Sequence, residues 1–367
     1  MNISLLQENL LKALTRTGRI VSTRPQIPIA GNVLLDAKNG GLSITSTNLE
    51  TSETVWVGGK AEKEGSVCVP SRLLTELVSS FPAETVHLVV KDEKIHISCS
   101  GFSATIPGVP AGEFPPVEPP PKGGEKINKE TLVGALSLVL FAAATDEGRP
   151  LLTGIKMVSG DGGTTLAATD GYRLSTKTIA FSLKQSTDMV IPARTLSEVL
   201  KISLEEKDAK DVVVTAIKDG QLIFSIGDTN IMTRLIAGDY PDYKKIIPKA
   251  FNTRALLEKE PLARAVKSAA IFARDNANIV RFTLDKQRVI VSANTPNVGE
   301  NRIEIDAKID GEGGEIAFNS RFLLEFLSAF PGDEVLFEMT GALNPGVFRP
   351  VKDDSYLHII MPVRITS

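Results

Sequence analysis

The sequence predicts an α+β protein made of three copies of one domain of about 120 residues. Three observations carry that expectation. A helix-opening signature occurs three times, as Val-Pro-Ser-Arg-Leu-Leu-Thr-Glu-Leu at 69–77, Ile-Pro-Ala-Arg-Thr-Leu-Ser-Glu-Val-Leu at 191–200 and Phe-Asn-Ser-Arg-Phe-Leu-Leu-Glu-Phe-Leu at 318–327. Its arginines, Arg72, Arg194 and Arg321, stand 122 and 127 residues apart. A second signature, beginning at Glu8, Glu130 and Glu260, opens an apolar-periodic stretch in the same register, with spacings of 122 and 130. Between the signatures, short β-type runs flank turn-forming residues, as antiparallel hairpins require.

In the first repeat, Leu6, Leu10 and Leu14 recur at i, i+4 and i+8 and predict a helix. Val33-Leu34-Leu35-Asp36 and Leu42-Ser43-Ile44-Thr45 flank Asn39-Gly40, and residues 86–90 and 95–99 flank a charged turn at 91–94. Both read as hairpins. The middle repeat turns at Gly160-Asp161-Gly162-Gly163 and at Asp219-Gly220; no GK[ST] follows either, so hairpins explain these glycines better than a phosphate loop does. Residues 115–124, Pro-Pro-Val-Glu-Pro-Pro-Pro-Lys-Gly-Gly, cannot continue a helix or a central strand and read as a linker. The second junction falls near Pro248 and Asn252-Thr253. The expected domains are 1–122, 123–250 and 251–367, each with two helices on one side of antiparallel sheets.

Composition excludes several classes. The 367 residues hold 41 Lys+Arg against 44 Asp+Glu, a net charge of −3, with 42% hydrophobic and 23% charged residues. That is an ordinary soluble globular balance. No apolar run approaches the roughly 18–20 residues of a membrane span, and Met1–Glu8 lacks the basic start of a secretory signal. Two cysteines, Cys68 and Cys99, are too few for a disulfide framework and fit a reducing cytosol. His96 and Cys99 fall on opposite faces of a strand, and with His87 and His358 they complete no ligand set, so neither metal nor cofactor is expected. No GxSxG elbow, Cys–His pair or repeated Asp-x-Asp marks a catalytic centre, and none is expected.

Lys12, Arg16 and Arg19 form a basic stripe on the first helix, and Arg264, Lys267 and Arg274 form its counterpart in the third repeat. Such stripes suit sequence-independent contact with phosphates, or else a solvated face. The corresponding middle helix, Leu132–Leu140, carries no basic residue. Arg72, Arg194 and Arg321 each have a glutamate at i+4 (Glu76, Glu198, Glu325), which fits intrahelical pairing.

Four motifs in order on this triplicated chain resemble the bacterial DNA polymerase III β subunits, the replicative sliding clamps. They are Arg24-Pro25-Gln26-Ile27-Pro28-Ile29-Ala30-Gly31-Asn32, Ala168-Thr169-Asp170-Gly171-Tyr172-Arg173-Leu174, Tyr240-Pro241-Asp242-Tyr243 and Met361-Pro362-Val363-Arg364. The resemblance implies a head-to-tail homodimer whose six similar domains close a ring around duplex DNA, with helices lining the hole. It implies a cytoplasmic processivity factor without enzymatic activity, tethering the DNA polymerase III α subunit, the clamp loader, and other polymerases and repair proteins. A peptide-binding scaffold that does not encircle DNA is the alternative.

Within that ring, their helix or loop positions make Arg24, Arg72, Arg194, Arg264, Lys267 and Arg321 the expected DNA contacts, with Lys12 and Arg16 of the first basic stripe. The resemblance implies a partner-peptide pocket of Arg149, Leu152, Thr169, Gly171, Tyr172, Arg173, Leu174, Pro241, Ile246, Leu343, Ile359, Met361, Pro362, Val363 and Arg364. Plain core packing is the competing reading for Leu174, Ile246 and Ile359. Phe102, Ile271 and Phe272 match the family's dimer interface. The chain departs from the family pattern at Pro150-Leu151, where an aromatic pair is usual, and at the extension Thr366-Ser367.

Overall fold

A computed structural model describes residues 1–367 except 23–26, 39, 122, 185–186, 218–219, 297–298 and 365–367. The expected contact at Arg24 therefore lies outside the described residues, as do Asn39, Asp219 and the terminal Thr366-Ser367.

The same order of elements occurs three times, with one additional short strand, β5, in the first repeat. The first repeat runs β1 (Asn2–Leu6), α1 (Gln7–Gly18), β2 (Asn32–Lys38), β3 (Gly41–Thr47), β4 (Thr51–Gly58), β5 (Lys60–Lys63), β6 (Gly65–Pro70), α2 (Ser71–Ser79), β7 (Thr85–Lys91), β8 (Lys94–Cys99) and β9 (Phe102–Pro107). The second runs β10 (Glu125–Asn128), α3 (Lys129–Val139), β11 (Gly154–Gly160), β12 (Gly163–Thr169), β13 (Arg173–Ile179), β14 (Thr187–Pro192), α4 (Ala193–Glu205), β15 (Asp211–Ile217), β16 (Gln221–Ile226) and β17 (Thr229–Arg234). The third runs β18 (Thr253–Glu258), α5 (Lys259–Ala273), β19 (Ile279–Asp285), β20 (Arg288–Thr295), β21 (Gly299–Gly311), β22 (Gly314–Asn319), α6 (Ser320–Ala329), β23 (Glu334–Met339), β24 (Gly346–Pro350) and β25 (Tyr356–Ile360).

Glu8, Glu130 and Glu260 each fall second in their helices, where a carboxylate meets the positive end of the helix dipole. Arg72, Arg194 and Arg321 fall second in α2, α4 and α6. The middle helix begins earlier than its apolar run, at Lys129, so it does carry one cation; that ammonium donates to the Glu206 carbonyl at 2.6 Å. No helix among the described residues is long and apolar enough to cross a membrane.

By compactness the chain also groups into two units that cut across the three repeats: Met1–Lys129 with Lys201–Leu235, and Glu130–Leu200 with Ile236–Ser367. The cause is strand pairing between neighbouring repeats. In the first unit, β4 pairs antiparallel with β17 and joins two repeats in one eight-stranded sheet, β10-β15-β16-β17-β4-β3-β2-β6. In the second, β13 pairs with β25 within a twelve-stranded sheet, β14-β11-β12-β13-β25-β24-β23-β18-β21-β20-β19-β22. Each pairing covers edges that would otherwise expose unpaired backbone.

The first unit also holds a five-stranded sheet, β5-β1-β7-β8-β9. Leu10 and Leu14 of α1 and Leu74 and Val78 of α2 pack with Ile3, Leu88 and Ile97 and with Val33, Leu35 and Ile44. Gln7 ties the helices together, its buried side-chain amide donating to the Val78 carbonyl at 2.8 Å. The core of the second unit is aromatic: Phe282, Phe318 and Phe337 meet edge to face at 5.7–6.1 Å, with Phe326, Phe330, Phe348 and Tyr356 buried around them.

Candidate functional site

The motif Thr169-Asp170-Gly171-Tyr172-Arg173 forms the turn from β12 to β13. The Asp170 carboxylate accepts the Tyr172 and Arg173 backbone N–H groups at 2.9 and 3.0 Å, and the Thr169 hydroxyl accepts that of Gly171 at 3.0 Å. Gly171 has φ +91°, so a side chain there would be strained. The result presents Tyr172 with 59% of its surface exposed, its ring stacked on Phe322 at 6.4 Å. The Met361 N–H then bonds the Tyr172 carbonyl at 2.8 Å, fastening the C-terminal Met-Pro motif beside the turn.

The first repeat builds the same turn at Thr47–Thr51. Asn48 accepts the Glu50 and Thr51 N–H groups at 3.1 and 2.8 Å, Thr47 accepts that of Leu49 at 3.0 Å, and Arg234 N–H bonds the Glu50 carbonyl at 2.9 Å. The backbone frame is thus common to the first two repeats, and what differs at 169–174 is the side chains set on it.

Directly opposed residues of neighbouring strands share a sheet face. Thr169 opposes Leu174, Leu174 opposes Ile359, and Ile359 opposes Val347. Leu174 and Ile359 are fully buried, and with Val347, Leu152, Tyr240 and Tyr243 they make a small apolar cluster. Burial pushes the Tyr240 phenol up to about 12, partly offset by the Thr169 backbone N–H, which donates to it. Leu174 and Ile359 are therefore a floor, packed as core. Accessible apolar surface among the expected residues belongs to Tyr172, Ile246 and Leu343, with Met361, Pro362 and Val363 half-buried. Thr169 is buried; Arg149, Gly171, Pro241 and Arg364 are exposed.

Arg173 is committed elsewhere. Its guanidinium is buried, ion-paired with Asp170 at 3.0 Å and with Glu325 of α6, bonded to the Phe141 carbonyl, and stacked over Phe322 at 4.6 Å. Glu325 thus pairs across repeats with Arg173, where intrahelical pairing with Arg321 was expected. Asp170 and Phe322 carry no role in the sequence reading: Asp170 lies inside the Ala168–Leu174 motif and Phe322 reads only as part of a helix face. On the opposite face of β25, His358 is buried, which lowers its pKa well below the ordinary value, and its Nδ1 lies 2.6 Å from the Ser175 hydroxyl.

The expected DNA-facing cations separate into two groups. Arg72 is exposed and pairs with Glu76 at 2.8 Å, as expected for i,i+4; Arg264 is exposed near Glu260 at 3.9 Å, and Arg194, Lys267 and Arg321 are exposed. Arg16 departs from its expected stripe. It is 3% exposed, bonding Glu205 through Nε at 2.8 Å and Glu206 through Nη1 at 2.6 Å. Lys12 reaches Glu206 at 3.2 Å and Arg19 reaches Glu205 at 2.6 Å. This cation cluster clamps α1 to the end of α4 within the first unit. Burial opposes charge on both glutamates, but hydrogen bonds from these cations outweigh it and hold both carboxyls below the ordinary range.

Phe102 is half-exposed at the start of β9, an edge strand, and its ring packs tilted against Phe81 at 5.7 Å. In the second unit, Ile271 is 57% exposed and Phe272 half-buried at the end of α5. Nearby, β21 pairs with β20 through Gly299–Asp306 and with β18 only through Ala307–Gly311, so its first half has one open edge among the described residues.

Residues 1–118 match the DNA polymerase III beta subunit N-terminal domain, 126–242 its central domain and 244–364 its C-terminal domain. The chain is 30% identical to the beta sliding clamp of Streptomyces coelicolor, with both chains covered in full. It superimposes on the DNA polymerase sliding clamp of Bacillus subtilis at 26% identity and a TM-score of 0.94, both chains again covered in full. A sliding clamp from Bartonella birtlesii bound to griselimycin gives 28% identity and 0.93 over the same full coverage.

Proposed function

The chain belongs to the DNA polymerase III beta-subunit family, the sliding clamps, and on that premise we propose that two copies close head to tail into a ring around duplex DNA. It is a replication clamp of three homologous domains, and the scaffold alternative loses its support. The observation that carries the ring is the triplicated element order: three repeats per chain and two chains give six similar units in closed cyclic symmetry. The ring seam joins the open edge of β9, with Phe102, to the open half of β21, with Ile271 and Phe272 beside it. Strand addition satisfies both edges, and burial of Ile271 removes exposed apolar surface.

Encirclement makes tight DNA binding unnecessary, consistent with the net charge of −3. Arg72, Arg194, Arg264, Lys267 and Arg321 are the proposed DNA contacts, joined by Arg24; Arg16 and Lys12 act instead in the α1–α4 clamp. Tyr172, Ile246, Leu343 and Met361 form the accessible walls of a pocket over the Leu174–Ile359 floor, where apolar anchors of partner peptides dock. The partners are the polymerase III α subunit, the clamp loader and other polymerases and repair proteins. The protein works in the cytoplasm and has no catalysis of its own: it raises the polymerase's effective concentration at the primer end.

Primer extension by the cognate polymerase, with excess competitor template added after loading, tests this function. Products lengthen several-fold when the loaded chain is present; equal lengths with and without it refute the assignment.

A further inference from the structure

The row of opposed residues under the apolar cluster does not stop at Val347. Val347 opposes Glu338 on β23, and Glu338 opposes Arg254 on β18. Leu174, Ile359, Val347, Glu338 and Arg254 therefore share one sheet face. At its far end the row meets a cavity of about 170 Å³, whose lining includes Phe251, Arg254, Glu338, Val347 and Arg349, with Lys249 at the wall.

The chemistry of this cavity is unbalanced toward positive charge. Glu338, its side chain only 5% exposed, accepts from Arg254 Nε at 2.9 Å and pairs with Arg349 Nη2 at 3.1 Å. One carboxylate thus answers two guanidiniums, and Lys249 adds a third cation. The Arg254 guanidinium carbon sits 4.0 Å from the centroid of the Phe251 ring, and its Nε and Nη2 both donate to Glu338, which fixes the remaining Nη1 before any ligand arrives. Guanidinium groups preorganised in this way select carboxylates.

We infer that the cavity is a subsite for an Asp or Glu side chain of the bound partner peptide, rewarding an acidic residue at a set distance from the apolar anchor. The inference rests on the peptide-pocket reading above. From Ile359 to Glu338 is two strand spacings, roughly 10 Å, and an extended peptide rises about 3.3 Å per residue. The acidic residue therefore lies about three residues from the anchor seated over Ile359.

Fluorescence anisotropy with the full-length protein tests it. The probes are labelled, C-terminally amidated decapeptides with adjacent Leu and Phe anchors in an Ala/Ser background, carrying Glu or Gln three residues to either side. In one of the two placements the Glu peptide binds about tenfold tighter than its Gln twin, the lower end of what one charge-assisted hydrogen bond contributes. That ratio falls to near one in Arg349→Met and rises in Glu338→Gln, two independent variants that move it in opposite directions. A Glu/Gln ratio of one in the unaltered protein, or one that neither variant moves, overturns the subsite while leaving the pocket intact. Neutral-peptide binding that is absent, or indifferent to Leu343→Asp at the exposed wall, overturns the pocket and the subsite with it.

Discussion

Arg16→Met separates structural cations from DNA-facing ones. The substitution keeps the length of a side chain that is 4% exposed but deletes its bonds to Glu205, Glu206 and the Thr229 hydroxyl. Breaking a fully buried ion pair costs roughly 3–5 kcal/mol. Here Glu205 and Glu206 are 36% and 21% exposed and keep Arg19 and Lys12, so solvent and the remaining cations recover part of it. A loss of about 2–3 kcal/mol is expected for the first unit. Arg72→Met, deleting a pair 91% and 64% exposed, changes stability by less than about 0.5 kcal/mol. Guanidinium-chloride unfolding of the two variants measures the difference. The affinity of each for a short linear duplex as a function of salt supplies the other half: Arg72→Met lowers the log–log salt slope by about one, and Arg16→Met leaves it unchanged. Because both glutamate pKa values are depressed in the folded state, the cluster stabilises above their unfolded values, near 4.3, and that stability is lost as pH falls through the folded ones. The acid sensitivity of the unaltered protein below about pH 4 is correspondingly weakened in Arg16→Met. A variant with native stability but a reduced salt slope would refute this assignment of Arg16.

Three further outcomes follow from the site. Met361→Ala weakens partner-peptide binding by roughly 1–2 kcal/mol in a titration while the unfolding midpoint barely moves, whereas Leu174→Ala, at a fully buried position, also costs roughly 2–5 kcal/mol of stability. Ile271→Asp places a charge at the proposed seam; sedimentation is expected to show folded monomers where the unaltered protein gives dimers. Asp170→Ala frees two backbone donors and weakens peptide binding, and Asp170→Asn restores most of it, since Asn48 holds the matching turn of the first repeat with the same two bonds. Equal effects of Ala and Asn, read by peptide affinity and by amide exchange at Tyr172 and Arg173, would contradict that role.

Local order is what the sequence shows best. Glu8, Glu130 and Glu260 and the three signature arginines mark the second residue of each of the six α-helices among the described residues, because helix starts are set by neighbours a few residues apart. Pairings between repeats leave no such mark. Arg16 reads as one of a solvated stripe since its partners, Glu205 and Glu206, are 189 and 190 residues away, and Glu325 reads as Arg321's partner since only the fold brings it to Arg173. The joining of β4 to β17 and of β13 to β25 is likewise invisible to periodicity, and it makes two compact units of three repeats. In the site itself, residues 168–174 are marked in the sequence only by the family resemblance, and the turn that Asp170 holds emerges from the fold. Which apolar residues form its floor and which its walls depends on a register that only the sheet sets.

Encirclement is the central claim, and retention on circular against linear DNA tests it most directly. The protein is loaded on nicked circular duplex by the cognate clamp loader with ATP, freed of loader by gel filtration at moderate salt, and the circle is then cut at one site. A ring held by topology stays on the intact circle and leaves within minutes of linearisation, with little dependence on salt. Equal retention before and after cutting, falling steeply with salt on both forms, would mean ordinary phosphate binding and would contradict the ring.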